Sequence, residues 1–189
     1  MSPQRSLIPQ IVAMFAEVCP TAGLMLTGSV RYGYERGSSD VDVFVVAEEI
    51  ASVHIPGAVI SHRTAEAWVA NLMFGSVRVE MVCTACAYLD QVAEKPWRSY
   101  TLGDGEILRD PLRVLTPFQT RMRAWFAAHP RLEEAWRDQI AQCRQYALAG
   151  RPPDRAGFLR FPRWEDFAAH MDLLASGLPE CDQRLPLEH

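Results

Sequence analysis

The stretch Gly28–Val46 reads GSVRYGYERGSSDVDVFVV. It begins with a Gly-Ser pair directly after a short apolar run, Gly23–Thr27, and it ends in a second apolar run, Val41–Val46. Both runs are too short for a typical helix and are bounded by turn residues, so each predicts a buried strand. Asp40 and Asp42 stand where the second strand begins. The polar segment between the strands therefore lies at one end of a predicted sheet.

The two aspartates predict a cation site. Because side chains alternate across a strand, Asp40 and Asp42 project to the same side, while Val41 points the other way. Two neighbouring carboxylates destabilise a fold unless a cation neutralises them, and Mg²⁺ prefers carboxylate oxygens together with substrate phosphates. A turn such as Gly28-Ser29, between a strand and a short helix, offers backbone N–H groups to a phosphate. The alternative interpretation is a solvated strand start.

A third carboxylate, Glu80, lies inside the apolar β-rich run SVRVEMV. An acidic side chain in such a run is costly unless it faces solvent or a cation. If the two strands are neighbours, Glu80 can meet Asp40 and Asp42 and complete a two-metal site. The alternative is an exposed sheet residue paired with Arg78 or with a neighbouring strand.

The remaining elements follow from apolar spacing and turn residues. A helix is predicted for 6–18, stopped by Pro20, and a short strand for 58–61. Strands at 68–74 and 77–82 flank Gly75-Ser76 as a hairpin, although 65–74 also suits a short helix. Further predictions are a helix from 83 to 94 with Thr84 as its N-cap, an extended piece at 107–108, and helices at 117–128, 130–148 and 164–175.

Gly28-Ser29, with Asp40 twelve positions after the glycine and Asp42 two further on, resembles the signature of the DNA polymerase β-like nucleotidyltransferase superfamily, in particular its small bacterial members. Arg31, Gly33 and Ser39 also match the pattern, and Glu80 matches its later acidic residue. The resemblance covers roughly residues 5–110. Tyr32 departs from it, since many members carry arginine there.

The resemblance implies an α/β (α+β) nucleotidyltransferase fold, with a mixed β-sheet flanked by helices. It implies transfer of a nucleoside monophosphate from a nucleoside triphosphate to a hydroxyl group, with release of pyrophosphate. Asp40, Asp42 and Glu80 would be the catalytic residues and would hold Mg²⁺, two ions in all. Gly28, Ser29, Arg31 and Ser39 would bind the nucleotide, for which ATP is the expected donor.

The chain has 189 residues, of which 49% are hydrophobic and 22% charged, and its net charge is −4. This composition predicts a globular protein rather than a disordered chain. The acidic balance argues against a polynucleotide partner. No basic and apolar leader or bilayer-length apolar run is visible, which predicts a cytoplasmic protein with no membrane partner. Five scattered cysteines fit a reducing compartment.

We expect a nucleotidyltransferase domain at 1–115, a C-terminal helical extension at 116–186, and a tag remnant at 187–189. In small-substrate members of the superfamily, the C-terminal region forms the acceptor pocket and can supply a general base. Glu133, Glu134 and Asp138 are candidates by chemistry alone.

Three functions remain open from the sequence. The first is modification of a small-molecule acceptor, such as an antibiotic. The second is an antitoxin-type enzyme that modifies a protein partner. The third is a non-catalytic nucleotide-binding module. Oligomeric state is not encoded in any motif.

Overall fold

The computed structural model describes residues 2–152 and 154–186. The expected tag remnant at 187–189 lies outside the described residues. Contacts divide the chain into two compact units. The first comprises the residues up to Asp90 together with Gly105–Phe118, and the second comprises Gln91–Asp104 together with the chain from Gln119 onward.

The first unit is built on a six-stranded mixed sheet with the order β3-β4-β5-β2-β1-β6. Its strands are β1 (Gly23–Thr27), β2 (Val41–Ala47), β3 (Val59–Arg63), β4 (Ala67–Phe74), β5 (Val77–Ala85) and β6 (Glu106–Arg109). The pair β2 and β5 is parallel, and the other neighbours are antiparallel. The predicted mixed sheet with flanking helices is confirmed.

Helix α1 (Pro3–Val18) covers the core side of this sheet. It begins three residues before the prediction because Ser2 is its N-cap, with the Ser2 hydroxyl accepting the Arg5 N–H at 3.2 Å. Ile11 and Phe15 are fully buried and belong to the same core as the alternate strand residues. These strand residues are Leu24, Leu26, Val41, Val43, Val45, Val79, Met81 and Cys83. The residues between them, including Asp42 and Glu80, therefore belong to the opposite face.

Residues 67–74 form β4 rather than a helix and pair antiparallel with β5, so the hairpin prediction is confirmed. The predicted N-cap at Thr84 is wrong. Strand β5 continues to Ala85, and the following helix α3 spans Tyr88–Glu94. Thr84 is fully buried, and its hydroxyl donates to the carbonyl of Glu66 at 2.9 Å. Pairing with β4 and β2 on both sides extends the strand beyond the point where the local sequence suggests a helix.

The second unit contains helix α4 (Tyr100–Asp104), most of α5 (Leu115–Ala128), α6 (Pro130–Leu148) and α7 (Trp164–Ala175). The predicted helices at 117–128, 130–148 and 164–175 are confirmed. Asp172 of α7 accepts hydrogen bonds from Trp97 Nε1 at 2.9 Å and Arg98 Nε at 2.8 Å. Across residues 2–152 and 154–186, no helix combines the length and the apolar character needed to cross a membrane.

Candidate functional site

The turn after β1 places its backbone close to the carboxylate of Asp42. Helix α2 (Gly28–Tyr32) follows β1 without a spacer, and Gly28 has φ of +64°. A Cβ atom at Gly28 would lie 2.6 Å from Cγ of Asp42 and closer still to Oδ2. Only glycine accommodates both the left-handed backbone and this close approach. The Gly-Ser pair therefore packs directly on Asp42, the second aspartate of Asp40-Val41-Asp42.

Strand register sets Asp42 beside Glu80. In the antiparallel pair of β1 and β2, Asp42 lies opposite Thr27, the last residue of β1. In the parallel pair of β2 and β5, Asp42 is the register partner of Glu80. The sequence predicted that these carboxylates would meet if their strands were neighbours, and the strands are neighbours.

Asp40 joins the same group through Arg78. The guanidinium of Arg78 forms an ion pair with Oδ2 of Asp40. Arg78 stands two residues before Glu80 on β5, so the two side chains leave the strand on one face. We call Asp40, Asp42 and Glu80 the carboxylate cluster, and Arg78 is the cation that borders it. Arg78 therefore pairs with Asp40, whereas the sequence alternative paired it with Glu80.

The electrostatic environment of Asp42 is strongly perturbed. Burial, followed by the negative charges of Asp40 and Glu80, raises the pKa of Asp42 from 3.8 to about 7. Arg78 and the backbone N–H of Ser29, which donates to the Asp42 carboxylate, act in the opposite direction. Burial and the neighbouring carboxylates therefore both disfavour the ionised form of Asp42.

The loop before Asp40 is fixed by a residue that the motif does not contain. Gln4, fully buried in the first turn of α1, donates through Nε2 to the carbonyls of Arg36 at 2.6 Å, Gly37 at 3.3 Å and Ser39 at 3.0 Å. The sequence signal was available, because Gln4 stands seven residues before Ile11 on the apolar stripe of α1. A polar residue on such a stripe needs a buried partner.

Two of the predicted nucleotide-binding side chains have local roles in this structure. The hydroxyl of Ser39 accepts the N–H of Arg36 at 2.9 Å, which closes the turn before Asp40. The guanidinium of Arg31 lies 5.7 Å from the ring centroid of Tyr32. Gly28 and Ser29 contact the carboxylate cluster directly, through the close approach and the hydrogen bond described above.

The carboxylate cluster suits a hard divalent cation in its donor chemistry. In the part of the chain that the structure describes, no three His, Cys, Asp or Glu side chains are already arranged around a common metal position. However, neighbouring strands lie about 4.8 Å apart, so an ion between register partners is within reach of Asp42 and Glu80 by side-chain rotation. The raised pKa of Asp42 marks negative charge that such an ion would compensate.

The three candidate general bases belong to α6 in the second unit. Glu133 pairs with Arg137 at 2.6 Å and borders a cavity of about 250 Å³. The cavity is lined by Tyr100, Gly103, Asp104, Arg123, Phe126, Glu133 and Arg137. This cavity is not predictable from the sequence, because its lining comes from three helices whose packing no local pattern encodes.

Stability should depend on pH through Asp42. A folded-state pKa above the unfolded value means that the folded protein binds this proton more tightly. The contribution of Asp42 to the free energy of unfolding should therefore be most favourable below the unfolded pKa of 3.8 and fall until the pH has passed about 7. Asp42→Asn should remove this fall and stabilise the protein by on the order of 3 kcal/mol at about pH 8, but much less at about pH 4.5.

Urea unfolding in EDTA at the two pH values measures this difference. The matched control is Asp90→Asn, since Asp90 is exposed on α3 and should give a small difference at both pH values. A stabilisation by Asp42→Asn that is equal at both pH values would contradict the electrostatic explanation.

Comparison with protein-family models gives no match, and comparison with curated proteins gives none either. The chemistry assigned to the carboxylate cluster therefore rests on the residues of this chain.

Proposed function

We propose that the protein is a Mg²⁺-dependent nucleotidyltransferase that transfers a nucleoside monophosphate from a nucleoside triphosphate to a hydroxyl group and releases pyrophosphate. The observation that supports this most strongly is the carboxylate cluster beside the Gly28-Ser29 turn. Asp42 and Glu80 are register partners on neighbouring strands. Asp40 forms an ion pair with Arg78, which stands two residues before Glu80, and Gly28 packs closely against Asp42.

Asp40, Asp42 and Glu80 would hold the metal. Bound Mg²⁺ supplies positive charge for the triphosphate and lowers the pKa of the attacking hydroxyl. The chain itself orients the cluster: the Ser29 N–H holds the Asp42 carboxylate, and Gln4 fixes the loop that leads to Asp40. These contacts hold the backbone before Asp40 and the carboxylate of Asp42, while metal binding would require side-chain rotation within the cluster.

The sheet is compatible with the nucleotidyltransferase fold that the resemblance implies. The turn between β1 and α2 and the start of β2 meet at one sheet end, with β5 alongside β2. A fold by itself hosts many activities, so the proposal depends on the site.

We propose a small hydroxylated molecule as the acceptor, with a protein acceptor as the alternative. The net charge of −4 and the absence of a basic tract in the sequence disfavour a polynucleotide. ATP is the proposed donor. A non-catalytic nucleotide-binding module is the second candidate function, and the ion pair between Arg78 and Asp40 favours it, since this pair neutralises part of the cluster without a metal.

Binding of Mn²⁺, followed by electron paramagnetic resonance, tests the proposal without knowledge of the acceptor. The free Mn²⁺ signal should fall when the wild-type protein is added with a triphosphate, beyond the loss that the triphosphate causes alone. The Asp40→Asn/Asp42→Asn variant should not produce this additional loss. Equal signals with both proteins would contradict a metal site at the cluster.

The acceptor class is then found by pyrophosphate release. Hydroxylated small molecules, including aminoglycosides, are compared with protein fractions as acceptors, using the same double variant as background. Binding of Mn²⁺ and triphosphate without release for any acceptor would favour the non-catalytic module.

A further inference from the structure

Arg78 is a cation that pairs with a member of the carboxylate cluster. It contacts Oδ2 of Asp40, and its positive charge also acts on Asp42. The Arg78 side chain is 55% exposed, whereas that of Asp40 is 27% exposed. The more exposed Arg78 side chain therefore pairs with the less exposed carboxylate of Asp40.

The pair is easily broken. Ion pairs with a solvent-exposed partner contribute only about 0–1 kcal/mol, because water and salt compensate their separation. A divalent cation at the cluster would repel the guanidinium and compete with it for the oxygens of Asp40. Once released, an arginine is suited to phosphate oxygens, which it binds through two parallel hydrogen bonds.

We propose that Arg78 is a resident counter-cation of the carboxylate cluster, which leaves Asp40 when a divalent cation binds and then binds the triphosphate. This inference rests on the proposed function and assigns Arg78 a triphosphate-binding role within the same site. A fixed positive charge on β5, two residues from Glu80, would repel a metal ion and oppose its binding. An Arg78 side chain that leaves the cluster when the metal binds avoids this repulsion.

Chemical modification of the wild-type protein tests the release step. Phenylglyoxal reacts with accessible arginine side chains, and peptide mass spectrometry measures its rate at each arginine. Saturating Mg²⁺ should raise the rate at Arg78 by about two- to fivefold, the range expected when a weak ion pair is lost. Addition of ATP with Mg²⁺ should lower it again. Arg5, which lies 3.5 Å from Glu106 outside the cluster, is the internal control and should not respond.

A variant gives a second measurement. Arg78→Gln removes the competitor and should strengthen Mn²⁺ binding without nucleotide by about two- to fivefold. The same variant should weaken triphosphate binding in the presence of Mg²⁺. Arg5→Gln is the matched control and should change neither affinity.

The outcomes separate this inference from the proposed function. If Mn²⁺ binds the cluster but modification of Arg78 is unchanged by metal, the counter-cation role is overturned and the metal site stands. A variant Arg78→Gln that binds Mg²⁺ and triphosphate like the wild type also overturns it. If Mn²⁺ does not bind even with a triphosphate, the proposed function itself fails.

Discussion

Asp42→Asn is expected to abolish Mg²⁺-dependent triphosphate binding while making the unliganded protein more stable. The amide keeps the size of the side chain and can still accept the Ser29 N–H, but it lacks the charge that a hard cation requires. Loss of residues that merely support metal ligands weakens metal binding 10- to 100-fold, so loss of a ligand should weaken it by at least about a hundredfold. Isothermal titration calorimetry with ATP and Mg²⁺ measures the effect.

The feature that identifies this role of Asp42 is that Asp42→Asn should lose triphosphate binding but gain stability. Near neutral pH, burial and the charges of Asp40 and Glu80 disfavour the ionised Asp42 carboxylate. Replacing this carboxylate by a neutral amide should therefore raise the free energy of unfolding. A group that lowers stability in this way is typical of functional sites. Asp90→Asn controls for a generic loss of one charge. Undiminished binding of ATP with Mg²⁺ by Asp42→Asn would remove Asp42 from the metal site.

Gly28→Ala is expected to be the most disruptive single methyl addition in the turn. The new Cβ would meet a positive φ of +64° and would also lie 2.6 Å from Cγ of Asp42. The backbone term alone costs about 1–2 kcal/mol, and displacement of Asp42 adds a steric term of similar size, so we expect about 3 kcal/mol in total. Binding of Mg²⁺ with triphosphate should be lost as well, because the carboxylate is displaced.

Gly33→Ala isolates the backbone term. Gly33 ends the same helix with φ of +69°, but a Cβ there would meet nothing within 4 Å. This variant should lose only about 1–2 kcal/mol and should retain ligand binding. Combining Gly28→Ala with Asp42→Ala should reduce the penalty of the first substitution, since the obstructing carboxylate is gone. Equal destabilisation by Gly28→Ala and Gly33→Ala would show that the close approach to Asp42 has no consequence.

The strands and helices were largely predictable because their apolar spacing is local. The apolar run of β2 and the helical spacing of α6 each lie within a short window, and the structure has both elements where these patterns predict them. Thr84 was misassigned because pairing with two neighbouring strands overrides local helix signals. Long-range pairing of this kind is not visible in a short window.

The candidate site was predictable for a related reason. Gly28 and Asp42 are close in sequence and lie at the ends of paired strands, so their proximity follows from one hairpin-like connection. The approach of Glu80 depends on a crossover that places β5 parallel to β2. The partners of Gln4 and Arg78 depend on the final packing. The apolar spacing of α1 marks Gln4 only as a polar residue that needs a buried partner, and the sequence offers Arg78 only as a partner of Glu80.

Thermal unfolding with each of ATP, GTP, CTP and UTP, with and without Mg²⁺, tests the central claim most directly. At a triphosphate concentration of about 100 times Kd, binding adds about 2.7 kcal/mol, which should raise the Tm of a chain of this size by roughly 5–10 °C. We expect a shift in Tm that requires both Mg²⁺ and a triphosphate in the wild type and is absent from Asp40→Asn/Asp42→Asn. No shift with any triphosphate, or an equal shift in the double variant, would contradict a metal-dependent nucleotide site at the carboxylate cluster.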